Sequence, residues 1–168
     1  MEIFVTLQSE KDEKGTAVLF FFYHNASFSN NHMTTAQIKD AISPLIVARG
    51  LFLVDLKISK DNDITITVES EKGTVTLDDC EAINRSFTGM FSQDEEDYSL
   101  TVTSAGLDSA FKVQAQYMKA IGGKVEVWFK GGMKVIGVLE KADADKVTVD
   151  GQEYELKNIN KVKYYLEF

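Results

Sequence analysis

The chain has 168 residues and a formal net charge of −8, with 44% hydrophobic and 26% charged residues. That composition is typical of a globular protein with one domain or two small ones, and it excludes disorder throughout. The single cysteine excludes a disulfide framework and a multi-cysteine zinc site. An acidic chain does not attract nucleic acid through its overall field. The longest apolar run, Ala17 to Tyr23, is too short for a membrane-spanning helix.

Charge divides the chain into unequal parts. Residues 1–32 have 2 basic and 4 acidic side chains, residues 33–107 have 6 and 13, and residues 108–168 have 10 and 9. The net charges are therefore −2, −7 and +1. This asymmetry predicts two domains with different surfaces, at 33–107 and 108–168, after a leader of uncertain status at 1–32.

The leader is predicted to form a hairpin from Glu2–Leu7 and Thr16–Tyr23, with Glu10–Gly15 between them. No basic region precedes the apolar stretch, so a secretion signal is not indicated. Met33 stands directly before a helical pattern. Two alternatives stay open: the leader belongs to the native protein, or it is an upstream extension of a chain that starts at Met33.

Residues 33–107 are predicted to fold as helix, two strands, helix and strand, a compact α+β arrangement. The first helix has an apolar face at helical spacing, which outweighs the conflict with Pro44, and Gly50 marks its end. Thr76 begins the second helix. The residues expected on its inner face are Leu77, Cys80, Ile83, Phe87 and Met90 or Phe91. Alternation predicts the strands, and in the second of them Ile64, Ile66 and Val68 are expected inside while Thr65, Thr67 and Glu69 face solvent.

Residues 108–168 are predicted to form a short helix at Val113–Ile121 and then a small SH3-like, or Sm-like, β-barrel. Its strands are expected at Lys124–Lys130, Lys134–Lys141, Lys146–Val149, Glu153–Leu156 and Lys161–Phe168. The Asp150-Gly151 pair is a strong signal for a two-residue hairpin turn.

Few residues carry the types needed for catalysis. Both histidines, His24 and His32, lie in the leader, so neither domain has a neutral-pH proton shuttle. Cys80 falls on an apolar helix face and is interpreted as a small buried hydrophobe. The acidic cluster Asp78, Asp79 and Glu81 fits helix capping better than a Mg²⁺ site. The sequence predicts no catalytic, metal-binding or cofactor-binding residues.

Several residues are candidates for binding a partner. The acidic loop Asp94, Glu95, Glu96 and Asp97 offers a landing site for a basic partner. The pairs Trp128-Phe129 and Tyr164-Tyr165 should each direct one ring inward and one outward. Lysines on the same strands form a basic patch only if they cluster in space, and they are Lys124, Lys130, Lys134, Lys161 and Lys163. We take Trp128, Lys130 and Lys134 as candidate partner-binding residues.

Three stretches resemble the bacterial ribosome maturation factor RimP family: Gly50-Leu51-Phe52-Leu53-Val54-Asp55, Thr74 to Glu81, and Tyr98 to Asp108. In that family the last stretch runs into a Ser-Pro-Gly-Leu-Asp-Arg-Pro type junction. Here Ala105 replaces the first proline and Ser109-Ala110 replace Arg-Pro, which predicts a less rigid junction without the arginine's charged contact. We expect Gly106, Leu107 and Asp108 to set the angle between the domains.

The resemblance implies a cytoplasmic, non-enzymatic factor for maturation of the small (30S) ribosomal subunit, with an α/β N-terminal domain and an SH3-like C-terminal barrel. Its implied partners are the immature subunit and a basic small-subunit ribosomal protein, with room for rRNA contact, no membrane and a monomeric state. Two rivals are a general RNA-binding module that uses Trp128, Phe129 and the lysines, and a metal-dependent hydrolase that uses Asp78, Asp79 and Glu81.

Overall fold

The computed structural model describes residues 7–11, 17–21, 33–92 and 97–167. It is a mixed α+β protein whose chain forms two compact units, Met1–His32 and Met33–Phe168. In the first unit, β1 (Leu7–Lys11) pairs antiparallel with β2 (Ala17–Phe21). A hairpin was predicted here, but Glu10 and Lys11, assigned to the turn, belong to β1. Strand pairing uses backbone groups, which polar residues carry as well as apolar ones. Residues 2–6 lie outside the described part of the chain.

The next five elements follow the predicted order of helix, two strands, helix and strand. They are α1 (Thr35–Ala48), β3 (Leu51–Ile58), β4 (Asp63–Ser70), α2 (Leu77–Met90) and β5 (Ser99–Ser104). The sheet order is β3-β4-β5, with β3 antiparallel and β5 parallel to β4. Helix α1 continues through Pro44 and ends before Gly50, whose φ of 66° lies in the left-handed region that glycine tolerates.

Both helices pack on one face of this sheet. The buried residues of the core are Ile38, Ile42, Ile46, Leu51, Ile64, Ile66, Val68, Ile83, Phe87 and Tyr98. The prediction for α2 was wrong at Leu77, which is 82% exposed. Of the alternatives Met90 and Phe91, Phe91 packs against the core and Met90 is exposed. Leu77 is the first residue of the helix and lies beside the edge strand β5, where no further described strand of the sheet covers it.

The remaining elements begin with α3 (Gln114–Ala120) and continue as β6 (Lys124–Phe129), β7 (Lys134–Ala142), β8 (Lys146–Val149), β9 (Gln152–Glu155) and β10 (Ile159–Tyr164). All neighbours in the sheet β10-β6-β7-β8-β9 are antiparallel. A separate apolar cluster fills its inner side, and its buried members include Phe111, Val125, Val127, Leu139 and Val162. Asp150 and Gly151 both have positive φ, at 48° and 76°, so the predicted Asp-Gly turn is confirmed.

The described residues contain no helix that is both long and apolar enough to cross a bilayer.

Candidate functional site

The predicted junction is an exposed turn. The backbone N–H of Ser109 donates to the Gly106 carbonyl at 2.9 Å, and Gly106, Leu107 and Asp108 are all exposed. Gly106 does not have a positive φ. A Cβ on Gly106 would meet only the side-chain oxygens of Asp108 and Ser109, at 2.9 and 3.2 Å. Because both side chains are exposed and can move aside, the turn accommodates glycine without requiring it.

Backbone hydrogen bonds fix the chain on both sides of this turn. The Ala105 N–H donates to the Val68 carbonyl at 3.0 Å, which ties the entry to β4. The Phe111 N–H donates to the Val162 carbonyl at 2.7 Å, which ties the exit to β10. The turn therefore connects two sheets that each hold one of its ends.

A buried carboxylate links the two sheets. Glu69 on β4 is 8% exposed, and its Oε2 accepts a hydrogen bond from Gln116 Nε2 at 2.9 Å. Lys119 Nζ lies 3.0 Å from Glu69 Oε1 and also donates to the Gly73 carbonyl at 3.0 Å. Alternation had placed Glu69 on a solvent face, which is wrong because α3 covers that end of β4.

Gln116 and Tyr164 extend the same network. Gln116 Oε1 accepts from the Lys112 N–H at 2.7 Å, which caps the start of α3, while its amide nitrogen reaches Glu69. The Tyr164 hydroxyl is buried and has no hydrogen bond of normal geometry within the described residues. Burial, and then the neighbouring Glu69 carboxylate, raise the pKa of Tyr164 to about 12. The site therefore holds a neutral phenol beside a paired carboxylate.

A second ion pair, at the surface, joins residues 33–107 to residues 108–168. Lys112, just before α3, donates a hydrogen bond to Asp55 on β3, and Lys57 Nζ lies 3.4 Å from the same carboxylate oxygen. The hydrogen bond from Lys112 holds the pKa of the Asp55 carboxyl below its usual value. Sequence reasoning missed this pair because no local pattern connects residues 57 positions apart.

The outer face of β6, β7 and β10 carries a cluster of lysines around one indole ring. Trp128 is directly opposite Lys134 on one side and Lys161 on the other. The two ammonium nitrogens lie 5.1 and 4.9 Å from its ring centroid, within the range of cation–π attraction. We call Trp128, Lys134, Lys161, Lys163 and Glu126 the ring face.

Glu126 balances part of the charge on the ring face. Lys134 Nζ lies 2.9 Å from Glu126 Oε1, Lys163 Nζ lies 3.6 Å from Oε2, and Trp128 Nε1 donates to Oε2 at 3.2 Å. The hydrogen bond from Lys134 is the main cause that lowers the pKa of Glu126. Two lysines at this carboxylate and Lys161 over the ring leave the ring face positive. Sequence reasoning named these lysines but missed Glu126, which the period-2 pattern places on the same face as Trp128.

The aromatic pairs divide as predicted. Phe129 and Tyr164 pack against the inner apolar cluster. Trp128 and Tyr165 lie outside that cluster, and the ammonium of Lys124 lies 5.9 Å from the Tyr165 ring centroid. Lys130 is exposed in the turn after β6, where its backbone N–H donates to the Asn158 carbonyl at 3.0 Å.

The nominated acidic loop is described only at its end. Asp94, Glu95 and Glu96 lie outside the described residues, and Asp97 is exposed. The Asp97 carbonyl accepts a hydrogen bond from Asn62 Nδ2 at 3.3 Å, so the loop's last residue is tied to the β3–β4 turn.

One member of the second acidic cluster, Asp79, caps the start of α2. Asp79 Oδ2 accepts from the Thr76 hydroxyl at 2.7 Å and from the Thr76 N–H at 3.0 Å, and Arg49 Nη1 lies 3.0 Å from Oδ1. The hydrogen bond from the Thr76 hydroxyl is the first cause that lowers the pKa of Asp79. Burial, and then the charge of Asp79, raise the pKa of the half-buried Cys80 thiol. No group of three potential metal ligands converges anywhere in the described part of the chain. Asp79 therefore serves the helix start, while Glu81 forms an i,i+4 ion pair with Arg85.

Comparisons with known proteins agree with the resemblance in the sequence. The family model described as "RimP N-terminal domain" matches residues 41–108. The chain is 38% identical over 116 residues to "Ribosome maturation factor RimP" of Flavobacterium psychrophilum, covering 68% of this chain and 73% of that protein. It is 33% identical over 107 residues to the protein of that name in Christiangramia forsetii, covering 64% of each chain. For the Porphyromonas gingivalis protein of the same name, identity is 32% over 127 residues, covering 76% of this chain and 78% of the other.

Proposed function

This chain belongs to the RimP family of ribosome maturation factors, and from that premise we propose that it assists assembly of the small (30S) ribosomal subunit in the cytoplasm. It acts by non-catalytic binding to the immature subunit and to a basic small-subunit ribosomal protein. No bond is made or broken. The factor favours one conformation of the unfinished particle by binding that conformation better, and it leaves when maturation changes the surface.

The observation that carries this proposal is the separation of charge along the chain. Residues 33–107 have a net charge of −7 and residues 108–168 have +1. A strongly acidic surface repels rRNA phosphates and attracts a basic ribosomal protein, because complementary potentials steer encounter and select partners. The first half therefore faces protein within the particle.

The second half tolerates rRNA. We propose that its antiparallel sheet closes as an SH3-like barrel, in keeping with the strand order β10-β6-β7-β8-β9 around one apolar cluster. The ring face lies outside that cluster and keeps a local positive charge on an acidic protein. Phosphates can approach this face, and the indole of Trp128 offers a surface on which a base stacks.

The contacts at Glu69 and Asp55 support a fixed arrangement of the two halves. Glu69 is buried against Gln116 and Lys119, and Asp55 pairs with Lys112. These contacts hold the acidic residues 33–107 in a fixed position relative to residues 108–168, which carry the ring face. A factor that binds protein with one half and tolerates RNA with the other benefits from this fixed geometry. If the two halves moved freely, binding would have to order them and would lose conformational entropy.

Deletion of the gene tests the proposal. Sucrose gradients of the deletion strain should show accumulated free subunits with immature small-subunit rRNA, and the intact gene should restore the normal profile. Purified protein should sediment with immature small subunits and separate from mature ones. A normal gradient in the deletion strain, or turnover of any substrate by the purified protein, would contradict the proposal.

A further inference from the structure

The outer edge of the three-stranded sheet is open. In the order β3-β4-β5, strand β5 has β4 on one side and no described strand on the other. The N–H groups of Ser99 and Ala105 donate toward the β4 side, to the carbonyls of Asn62 and Val68. In a parallel pair, alternate residues direct both backbone groups the same way, so Leu100, Val102 and Ser104 direct theirs to the open edge. Such an edge is a template for another extended chain.

An apolar cleft runs beside this edge. It lies between α2 and β5, has a volume of about 500 Å³, and is lined by residues that include Leu77, Cys80, Asn84, Leu100 and Val102. Leu77 at its mouth is 82% exposed, more than any other exposed large apolar side chain of the described residues. A strand added to β5 would direct every second side chain to the side of the sheet on which this cleft opens.

Carboxylates outnumber cations on the two elements that form the cleft, and Glu81 lines the cleft itself. Described residues 77–92 and 97–104 contain the carboxylates of Asp78, Asp79, Glu81 and Asp97 and a single cationic side chain, Arg85. Arg49 pairs with Asp79 and Arg85 pairs with Glu81, while Asp78 and Asp97 are exposed. A nucleic acid strand is repelled here, whereas a lysine- and arginine-rich chain is attracted.

We propose that β5 and the α2–β5 cleft form a docking site for an extended, basic segment of a partner protein, which adds to the sheet as a strand beside β5. The partner's backbone pairs with Leu100, Val102 and Ser104, its alternate apolar side chains enter the cleft beside Leu77, and its cationic side chains face the surrounding carboxylates. This inference rests on the proposed function, since it states how the acidic half would hold a basic ribosomal protein.

A synthetic peptide tests the site. The probe is a ten-residue peptide, acetylated and amidated, in which lysine alternates with valine. Its control has proline in place of each valine, which keeps the charge but removes the valine side chains and every second backbone N–H. With the first peptide, hydrogen exchange at the Leu100 and Val102 amides should slow about tenfold or more, as expected when a new strand protects them. The proline peptide should leave that exchange unchanged.

Two matched variants locate the binding surface. Leu77→Lys places a cation at the mouth of the cleft and should weaken binding of the lysine–valine peptide about tenfold or more, because it removes apolar contact and repels the ligand. Val47→Lys makes the same change at a residue of α1 that is 66% exposed, and binding should be unchanged. Equal weakening by both variants, equal binding of both peptides, or unprotected Leu100 and Val102 amides with bound peptide would overturn the inference.

Gradients separate this inference from the proposed function. If the wild-type protein sediments with immature small subunits while the peptide protects neither amide, the docking site is wrong and the proposed function stands. If the amides are protected but the protein does not associate with immature subunits, the docking site stands and the proposed function fails.

Discussion

At the scale of single residues, Gly137 is the position where a side chain has least room. A Cβ there would lie 2.2 Å from Asp150 Oδ2 and 2.7 Å from Val149 Cγ1. The Asp150 carboxylate cannot easily withdraw, because its other oxygen accepts from the Val138 N–H at 2.9 Å and its own φ is held at 48°. The packing of β7 against β8 therefore requires a residue without a side chain at position 137.

We predict that Gly137→Ala destabilises the protein by about 1–3 kcal/mol, the range for overpacking at a tight site. Gly131→Ala is the matched control, because a Cβ at Gly131 meets nothing within 4 Å and its φ is not positive. Urea denaturation of the two variants measures the difference. Equal midpoints would show that the Asp150 turn relaxes freely.

The Asp55–Lys112 pair makes stability depend on pH. Because Lys112 lowers the folded pKa of Asp55, the pair's contribution is present above the unfolded pKa of about 3.9 and is lost as the pH falls through the lower folded value. Both side chains are partly exposed, so the contribution at neutral pH should be below about 1 kcal/mol.

Asp55→Asn should therefore lower the free energy of unfolding slightly at pH 7 and by less at pH 3, so that the wild-type and variant curves converge. Urea titrations at half-unit pH steps measure this gap, and other carboxylates cancel because both proteins share them. A gap that stays constant from pH 7 to pH 3 would contradict the assignment of the shift to this ion pair.

At the scale of elements, the strands β6, β7 and β10 together form the positively charged ring face, which no one of them forms alone. We predict that Lys134→Gln with Lys161→Gln weakens binding to a single-stranded RNA oligonucleotide. The slope of log affinity against log salt should fall by about 0.7 for each phosphate that the protein no longer neutralises. Lys141→Gln, on β7 outside the ring face, should have little effect. Emission from Trp128, the only tryptophan, reports binding directly.

An unchanged salt slope in the double variant would remove the ring face from RNA contact. Tight binding of free RNA by the wild-type protein would instead favour the rival interpretation as a general RNA-binding module. Lys130→Gln belongs in the same series, since Lys130 was nominated from sequence and is exposed one residue beyond β6.

Sequence pattern determined the elements well where the signal is local. Helical spacing found the face with Ile38, Ile42 and Ile46, and the Asp150-Gly151 pair found its turn. The pattern failed where burial depends on distant residues. Glu69 alternates like a solvent-facing residue, but α3 covers it. Leu77 has helical apolar spacing but is exposed beside the edge strand β5. The ring face needed spatial register between strands before its lysines could be seen to cluster.

At the scale of the whole molecule, the division at 107/108 is still a prediction. Each half has its own buried apolar cluster, which is the physical requirement for folding alone. The two sets of charged groups that join these halves differ in their exposure to solvent. Asp55 and Lys112 are partly exposed, whereas Glu69 is buried between Gln116 and Lys119.

Separate expression of residues 33–107 and 108–168 tests the division. We predict that each piece folds cooperatively but melts at a lower temperature than the intact chain, because the packing between the pieces is removed while water solvates the separated charges. Unfolded pieces would mean that residues 33–167 form one cooperative domain, and the junction at Gly106 would then be an ordinary surface turn.

In the intact chain, we predict that Glu69→Ala lowers the free energy of unfolding by about 1–3 kcal/mol, because Gln116 loses its hydrogen-bond acceptor at a buried site that water does not reach. Glu71→Gln, two residues along and exposed, is the control and should leave the free energy of unfolding unchanged.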